Sequence, residues 1–182
     1  MPDTTDKITK IKNIFSSFLN IFQNPLDRTY ALINVFHNLG YDKDTREITN
    51  TEDDISASTY RCYALAYIAY TVPNIQFTSS SDAMNLLQSI NPLFEAELND
   101  TNISQDTFSW LSRLKIKIAN DVSTRGSILP QINSFKSDMI PLPVVSQYLY
   151  QTGDRMDEII QRNNKVIKHP LFFSGTLEVL SS

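Results

Sequence analysis

The sequence predicts a mostly α-helical protein: an N-terminal helical domain over residues 1–126, followed by a small C-terminal domain over residues 127–182 in the order strand, helix, helix, strand. Three observations carry this expectation. Apolar residues recur at three- and four-residue spacing in successive segments up to Gly126. Only four glycines stand against ten phenylalanines and eight tyrosines in 182 residues, a balance that suits packed helices with few flexible turns. After Gly126 the pattern changes, and prolines with a terminal alternating run favour extended backbone.

Ile8, Ile11, Ile14, Phe15, Phe18, Leu19 and Phe22 draw one apolar stripe along a first helix that ends before Pro25. Asn24 and Pro25 read as N-cap and first helical position of a second helix, which Leu26, Tyr30, Ile33, Phe36 and Leu39 mark and Gly40 closes. Residues 41–50 are polar and aperiodic, and Thr51 with Asp54 forms a capping box for a third helix. From Ile55 to Tyr70 that helix is apolar on nearly every side, so it is expected at the centre of the domain and ends at Pro73. A fourth helix runs from about Asp82 to Leu98 with Pro92 kinking it, and a fifth carries the stripe Phe108, Leu111, Leu114, Ile118 and Val122 to a stop at Gly126. In the C-terminal domain, Ile132 to Phe135 is extended between Pro130 and Pro141. Two short helices follow, Pro143 to Tyr150 closed by Gly153 and Asp154 to Arg162 with Asp154 as N-cap, and then a strand over Thr176 to Leu180.

Charge and chemistry-bearing residues narrow the function. A net charge of -4 supplies no positive field to gather phosphates, so nucleic acid is not expected as a partner. No stretch reaches the roughly 20 apolar residues that span a bilayer, and the N-terminus lacks a signal core, which predicts synthesis and use without a membrane. One cysteine and two histidines, His37 and His169, make no thiolate or imidazole cluster, so neither metal nor cofactor is expected. No nucleophile elbow accompanies those histidines, and no catalytic residue is assigned. Glu95 and Glu97, two positions apart on a helix, point about 200 degrees away from each other and do not face one substrate; both are read as solvated. Cys62 is read as a small core hydrophobe, His169 as part of a turn, and the scattered lysines and arginines as solvated faces. Tyr60, Tyr63, Tyr67 and Tyr70 form a ridge, read first as core packing and second as an interface.

The run YQTGDRMDEIIQRNNKVIKHPLFFSGTLEVL resembles the end of the Mu-type DNA-circularisation proteins of phage tails. The shared elements are Gly153, Asp154, Asp157 and Glu158, then Arg162 with Asn163, His169 with Pro170, and a closing Gly175 with Leu177, Glu178, Val179 and Leu180. Weaker similarity extends through residues 59–70 and the SSSDAMNLL segment. The same terminal region is similar to a LysM module, with Gly153, Asp154, Glu158, Ile159, Asn163, Gly175, Leu177 and Val179 on its pattern, although the opening Gly-Asp-Thr-Leu is missing. Nothing before residue 128 matches the strand-rich N-terminal domain usual in the circularisation family.

These resemblances imply a LysM-like C-terminal domain in a non-enzymatic structural component of a contractile phage tail or baseplate, made in the bacterial host cytoplasm and located in the virion tail. It would act as an adaptor between tail subunits, in repeated copies around the tail axis. Arg155, Asn163, Phe172 and Phe173 are the expected partner-binding residues, as an aromatic cluster inserted into a neighbour. Two alternatives accompany this expectation: a peptidoglycan-binding module delivered with the tail, and a DNA-holding protein ejected with the genome, which the acidic balance ranks last.

Overall fold

Packing of aromatic and aliphatic helix faces builds the N-terminal part of the chain. The computed structural model describes residues 4–49, 55–100, 103–169 and 173–181, so the predicted capping box at Thr51 and Asp54 lies outside the described residues. The helices are α1 (Thr4–Ile21), α2 (Pro25–His37), α3 (Ile55–Thr71), α4 (Ser80–Leu98) and α5 (Gln105–Ser127); then come β1 (Ile132–Ile140), α6 (Leu142–Tyr150), α7 (Met156–Arg162) and β2 (Phe173–Leu180). The protein is therefore mostly α-helical with a small C-terminal β-α-α-β segment. The chain divides into two compact units, one of residues 1–76 and 83–125 and the other of residues 77–82 and 126–182. The short segment 77–82, which sequence patterning assigned to the helical domain, clusters with the C-terminal residues.

In the first unit α3 packs against both α1 and α2. Its Ala64, Leu65 and Ile68 are fully buried, as the near-continuous apolar character of the helix requires. The α1 stripe turns out narrower than the sequence suggests: Ile11 and Phe15 are buried, while Ile8 and Ile14 are exposed. Phe15 sits among the tyrosines of α3, with ring centroids 6.4 Å from Tyr60, 6.0 Å from Tyr63 and 5.6 Å from Tyr67. The Tyr67 hydroxyl shares a 2.9 Å hydrogen bond with Ser16 Oγ. Three members of the tyrosine ridge thus form the seat of α1, which accounts for the ridge by internal packing; Tyr70 alone of the four is largely exposed.

The N-cap of α2 is the predicted one. Asn24 Oδ1 accepts the Leu26 N–H at 2.9 Å, Pro25 follows at the first helical position, and Gly40 takes the left-handed φ of 88° just beyond the helix. The following polar loop is more ordered than its aperiodic sequence suggests. Asp42 N–H donates to Glu47 O at 2.9 Å and Thr49 N–H to Gly40 O at 2.8 Å around a Tyr41–Ile48 bridge, and Asp42 Oδ1 accepts the Asp44 N–H in an Asx-turn. Pro92 lies inside α4.

In the second unit β1 and β2 pair antiparallel, with Ile132 opposite Leu180 and Phe135 opposite Leu177; the register shifts between Ser137 and Ile140, where Met139 adopts φ 52°. Leu142, Val145, Ile159, Leu177 and Val179 form the core of this unit. The alternation expected of the last strand is present, with Leu177 and Val179 buried and Glu178 exposed. Two helix ends differ from expectation. The left-handed residue that ends α6 is Gln151 at φ 57°, two positions before Gly153. The second short helix begins at Met156, because Asp154 is drawn into a turn where its N–H donates to Thr152 Oγ1 at 3.2 Å and its carboxylate accepts from the Thr152 hydroxyl at 3.0 Å.

Candidate functional site

The C-terminal unit presents its chemistry on α6, α7 and the sheet. On α6, Leu142, Val145 and Ser146 face inward, which turns Val144 and Tyr148, four residues apart, outward on one face. Val144 is 53% exposed and Tyr148 76% exposed, and the Tyr148 ring lies 6.0 Å from that of Phe135 on β1, whose side chain is half-buried. An aromatic pair flanked by an exposed valine, held on regular secondary structure, is a rigid apolar surface suited to burial against a partner.

The four residues assigned from the sequence fall in different environments. Arg155 is half-exposed and held twice over: its guanidinium lies 3.9 Å over the Tyr150 ring and donates to Glu158 at 2.9 and 3.1 Å. Tyr150 is itself fixed, its hydroxyl donating to Leu180 O at 3.0 Å while burial raises its pKa. Asn163 is 4% exposed and turned inward. Its Nδ2 donates to Ile159 O at 2.9 Å and Glu178 O at 2.7 Å, and its Oδ1 accepts the Glu178 N–H at 2.8 Å. It brackets the end of α7 to β2 and, in this conformation, leaves no amide atom for a partner. Phe172 lies outside the described residues; Phe173 opens β2 opposite Ile140, and its side chain is likewise not described. Arg155 and Asn163 are thus not brought into one exposed cluster.

Sequence patterning gave no site role to Arg162 or Tyr148. Arg162 Nη2 donates to Thr78 Oγ1 at 2.8 Å and Nη1 to Asp82 at 3.5 Å, which joins α7 to the segment 77–82. Ser80 N–H adds a 2.9 Å bond to Pro130 O, and Ile132 N–H donates to Ser81 Oγ at 3.2 Å. The use of residues 78–82 as a strap within the small unit has no periodic signature in the sequence. Tyr148 was legible in principle, since it stands four residues from Val144 on the polar side of the α6 pattern.

In the first unit the titratable groups are arranged for support. Glu97 is fully buried, accepting from Arg61 Nε at 2.5 Å and Ser58 Oγ at 2.6 Å, and Arg61 also donates to Leu39 O at 3.0 Å and Asp100 at 3.1 Å. Glu95, two positions earlier, is exposed and pairs with Lys115 at 2.8 Å. The opposed directions of the two carboxylates hold, whereas the solvated reading of Glu97 is overturned: the inward face of α4 carries it to Arg61 on α3. Burial, then the Glu97 charge, push the Cys62 thiol up to about 12, which keeps it protonated and a poor nucleophile at neutral pH. Among the described residues no group of histidine, cysteine and carboxylate side chains is placed to hold a metal ion, and no helix is long and apolar enough to cross a membrane.

No family model matches the chain, and no curated protein matches it.

Proposed function

We propose that the protein is a non-enzymatic structural adaptor of a contractile phage tail or baseplate, joining other tail subunits through its C-terminal unit. The observation that carries this reading is the exposed Val144–Tyr148 face of α6 beside Phe135, on a small β-α-α-β unit whose sequence resembles the end of Mu-type DNA-circularisation proteins. The resemblance to a LysM module agrees with the strand, helix, helix, strand order, and it favours a unit that works by surface complementarity alone. The internal engagement of Asn163 and the raised Cys62 thiol fit a supporting role for those residues. Copies repeated around the tail axis would each present the same face to a neighbour.

The test is a paired substitution, Val144→Asp with Tyr148→Asp, introduced into the phage or prophage that encodes the chain. Both side chains are exposed, so the purified variant is expected to fold as the parent does. Failure to form complete tails would support the adaptor reading, and normal tails with an intact host range would overturn it. Retention of the purified protein on isolated peptidoglycan sacculi would instead favour the glycan-binding alternative, and steeply salt-dependent DNA binding the genome-holding one.

A further inference from the structure

An open cleft of about 340 Å³ lies in the N-terminal unit between α2, the ordered loop that follows it, and α4. Its volume is in the range of small-ligand sites. Lys43 and Arg46 line it, together with His37, Tyr41, Gln88 and Ser89. No aspartate or glutamate is among the residues that line it, although the chain carries 20 acidic residues against 16 basic ones. Of the two carboxylates whose charge reaches Tyr41, Glu95 pairs with Lys115 at 2.8 Å, and Asp42, whose Oδ1 accepts the Asp44 N–H at 2.8 Å, is not among the lining residues. Neither Lys43 nor Arg46 forms an ion pair with any described residue.

The cleft walls include a buried imidazole nitrogen and a helix interrupted by proline. His37 Nδ1 is buried with no hydrogen-bond partner among the described residues, while the imidazole ring stacks on Tyr41 at 5.2 Å. Pro92 has no N–H, so the Gln88 carbonyl four residues earlier loses its helical donor, and both residues line the cleft. The loop that carries the cations is also held in an unfavourable conformation, with Arg46 at φ 59°, a left-handed value that costs a non-glycine residue. Two cations without an ion pair, in a lining free of carboxylates, make a positive wall that a small anion would complement.

We propose that this cleft binds a small organic oxyanion, a carboxylate or a phosphoryl group, with Lys43 and Arg46 opposing its charge. The site is independent of the C-terminal surface, and it stands or falls apart from the adaptor reading. Phosphate and carboxylate share the chemistry that the two cations recognise, and the test separates them.

The test uses the full chain in two-dimensional NMR, titrated with inorganic phosphate and, separately, with citrate, against sodium chloride at matched ionic strength. Saturable shifts at His37, Tyr41, Arg46 and Ser89 are expected with one probe or both. Saturation with phosphate alone assigns a phosphoryl ligand, with citrate alone a carboxylate, and with both a general oxyanion site. The variant carrying Lys43→Gln and Arg46→Asn, whose asparagine accepts the left-handed backbone, should bind at least tenfold more weakly while the rest of its spectrum is unchanged. Shifts that track ionic strength alone, or a dissociation constant unchanged in that variant, would overturn the proposal.

Discussion

Replacing Arg61 with methionine tests whether the charge network at the core of the helical unit acts as one device. Arg61 is 2% exposed and Glu97 fully buried, so the substitution would leave a carboxylate in the interior with the Ser58 hydroxyl at 2.6 Å as its one close donor and the Cys62 thiol at 3.6 Å as a weak second. It would also remove the donor to Leu39 O and the cation beside Asp100. Breaking a buried pair from one side costs about 3–5 kcal/mol, because the desolvation of the remaining charge is no longer compensated. A domain is stable by only about 5–15 kcal/mol, so Arg61→Met should move the urea midpoint of the helical circular-dichroism signal far toward zero. The double variant Arg61→Met with Glu97→Leu removes the stranded charge and should return to within about 1–2 kcal/mol of the parent, the residue of the loss reflecting the Leu39 carbonyl. A cost under about 1 kcal/mol for the single variant, or a double variant no more stable than the single, would refute the reasoning.

Asn163→Asp keeps the size and the acceptor but loses both donated bonds to Ile159 O and Glu178 O, so the C-terminal unit should lose about 2–4 kcal/mol, read by loss of amide hydrogen-exchange protection in β2. Gln151→Gly should stabilise that unit by about 0.5–1 kcal/mol by relieving the left-handed backbone, whereas Gly153→Ala, with open space where its Cβ would stand, should be neutral or slightly stabilising; thermal melts of both variants distinguish this from a glycine-closed α6. The Cys62 thiol has its pKa raised from 9.0 to about 12, so the folded state keeps its proton while the unfolded chain gives it up; that contribution is complete below pH 9 and is lost as pH rises through about 12. Stability to urea should therefore fall across that window more steeply in the parent than in Cys62→Ala, and a native thiol that reacts with iodoacetamide at pH 8 as fast as the unfolded one would contradict the shift.

Periodicity made the helices and the class of fold legible, because apolar stripes at three- and four-residue spacing report directly on which face is buried. The Asn24-Pro25 start of α2 was readable for the same local reason: a side-chain acceptor and a fixed φ act on their own neighbours. What escaped depends on distant partners. Glu97 looks like Glu95 in sequence, but it lies on the inward face of α4, where Arg61 from α3 pairs with it, while Glu95 is exposed beside Lys115. Asn163 was chosen as a partner contact from its place in a motif, yet the return of β2 beside α7 uses both ends of its amide. The strap formed by residues 77–82 depends on Arg162, eighty positions beyond Asp82. Gln151 took the left-handed position two residues before the glycine expected there, since helix length is set by the packing of Val145 and Ser146 as well as by the stop signal. Tyr148 stood in plain view on the outward face of α6, but an outward tyrosine becomes a candidate contact only once Phe135 is seen beside it.

The most direct test of the proposed adaptor role is cryo-electron microscopy of tailed particles induced from cells that carry the gene for this chain. If the proposal holds, symmetric copies lie at the tail end near the tube or baseplate, with Val144 and Tyr148 buried against a neighbouring subunit. Particles with complete tails that lack the chain, or that carry it with the packaged DNA, would contradict it.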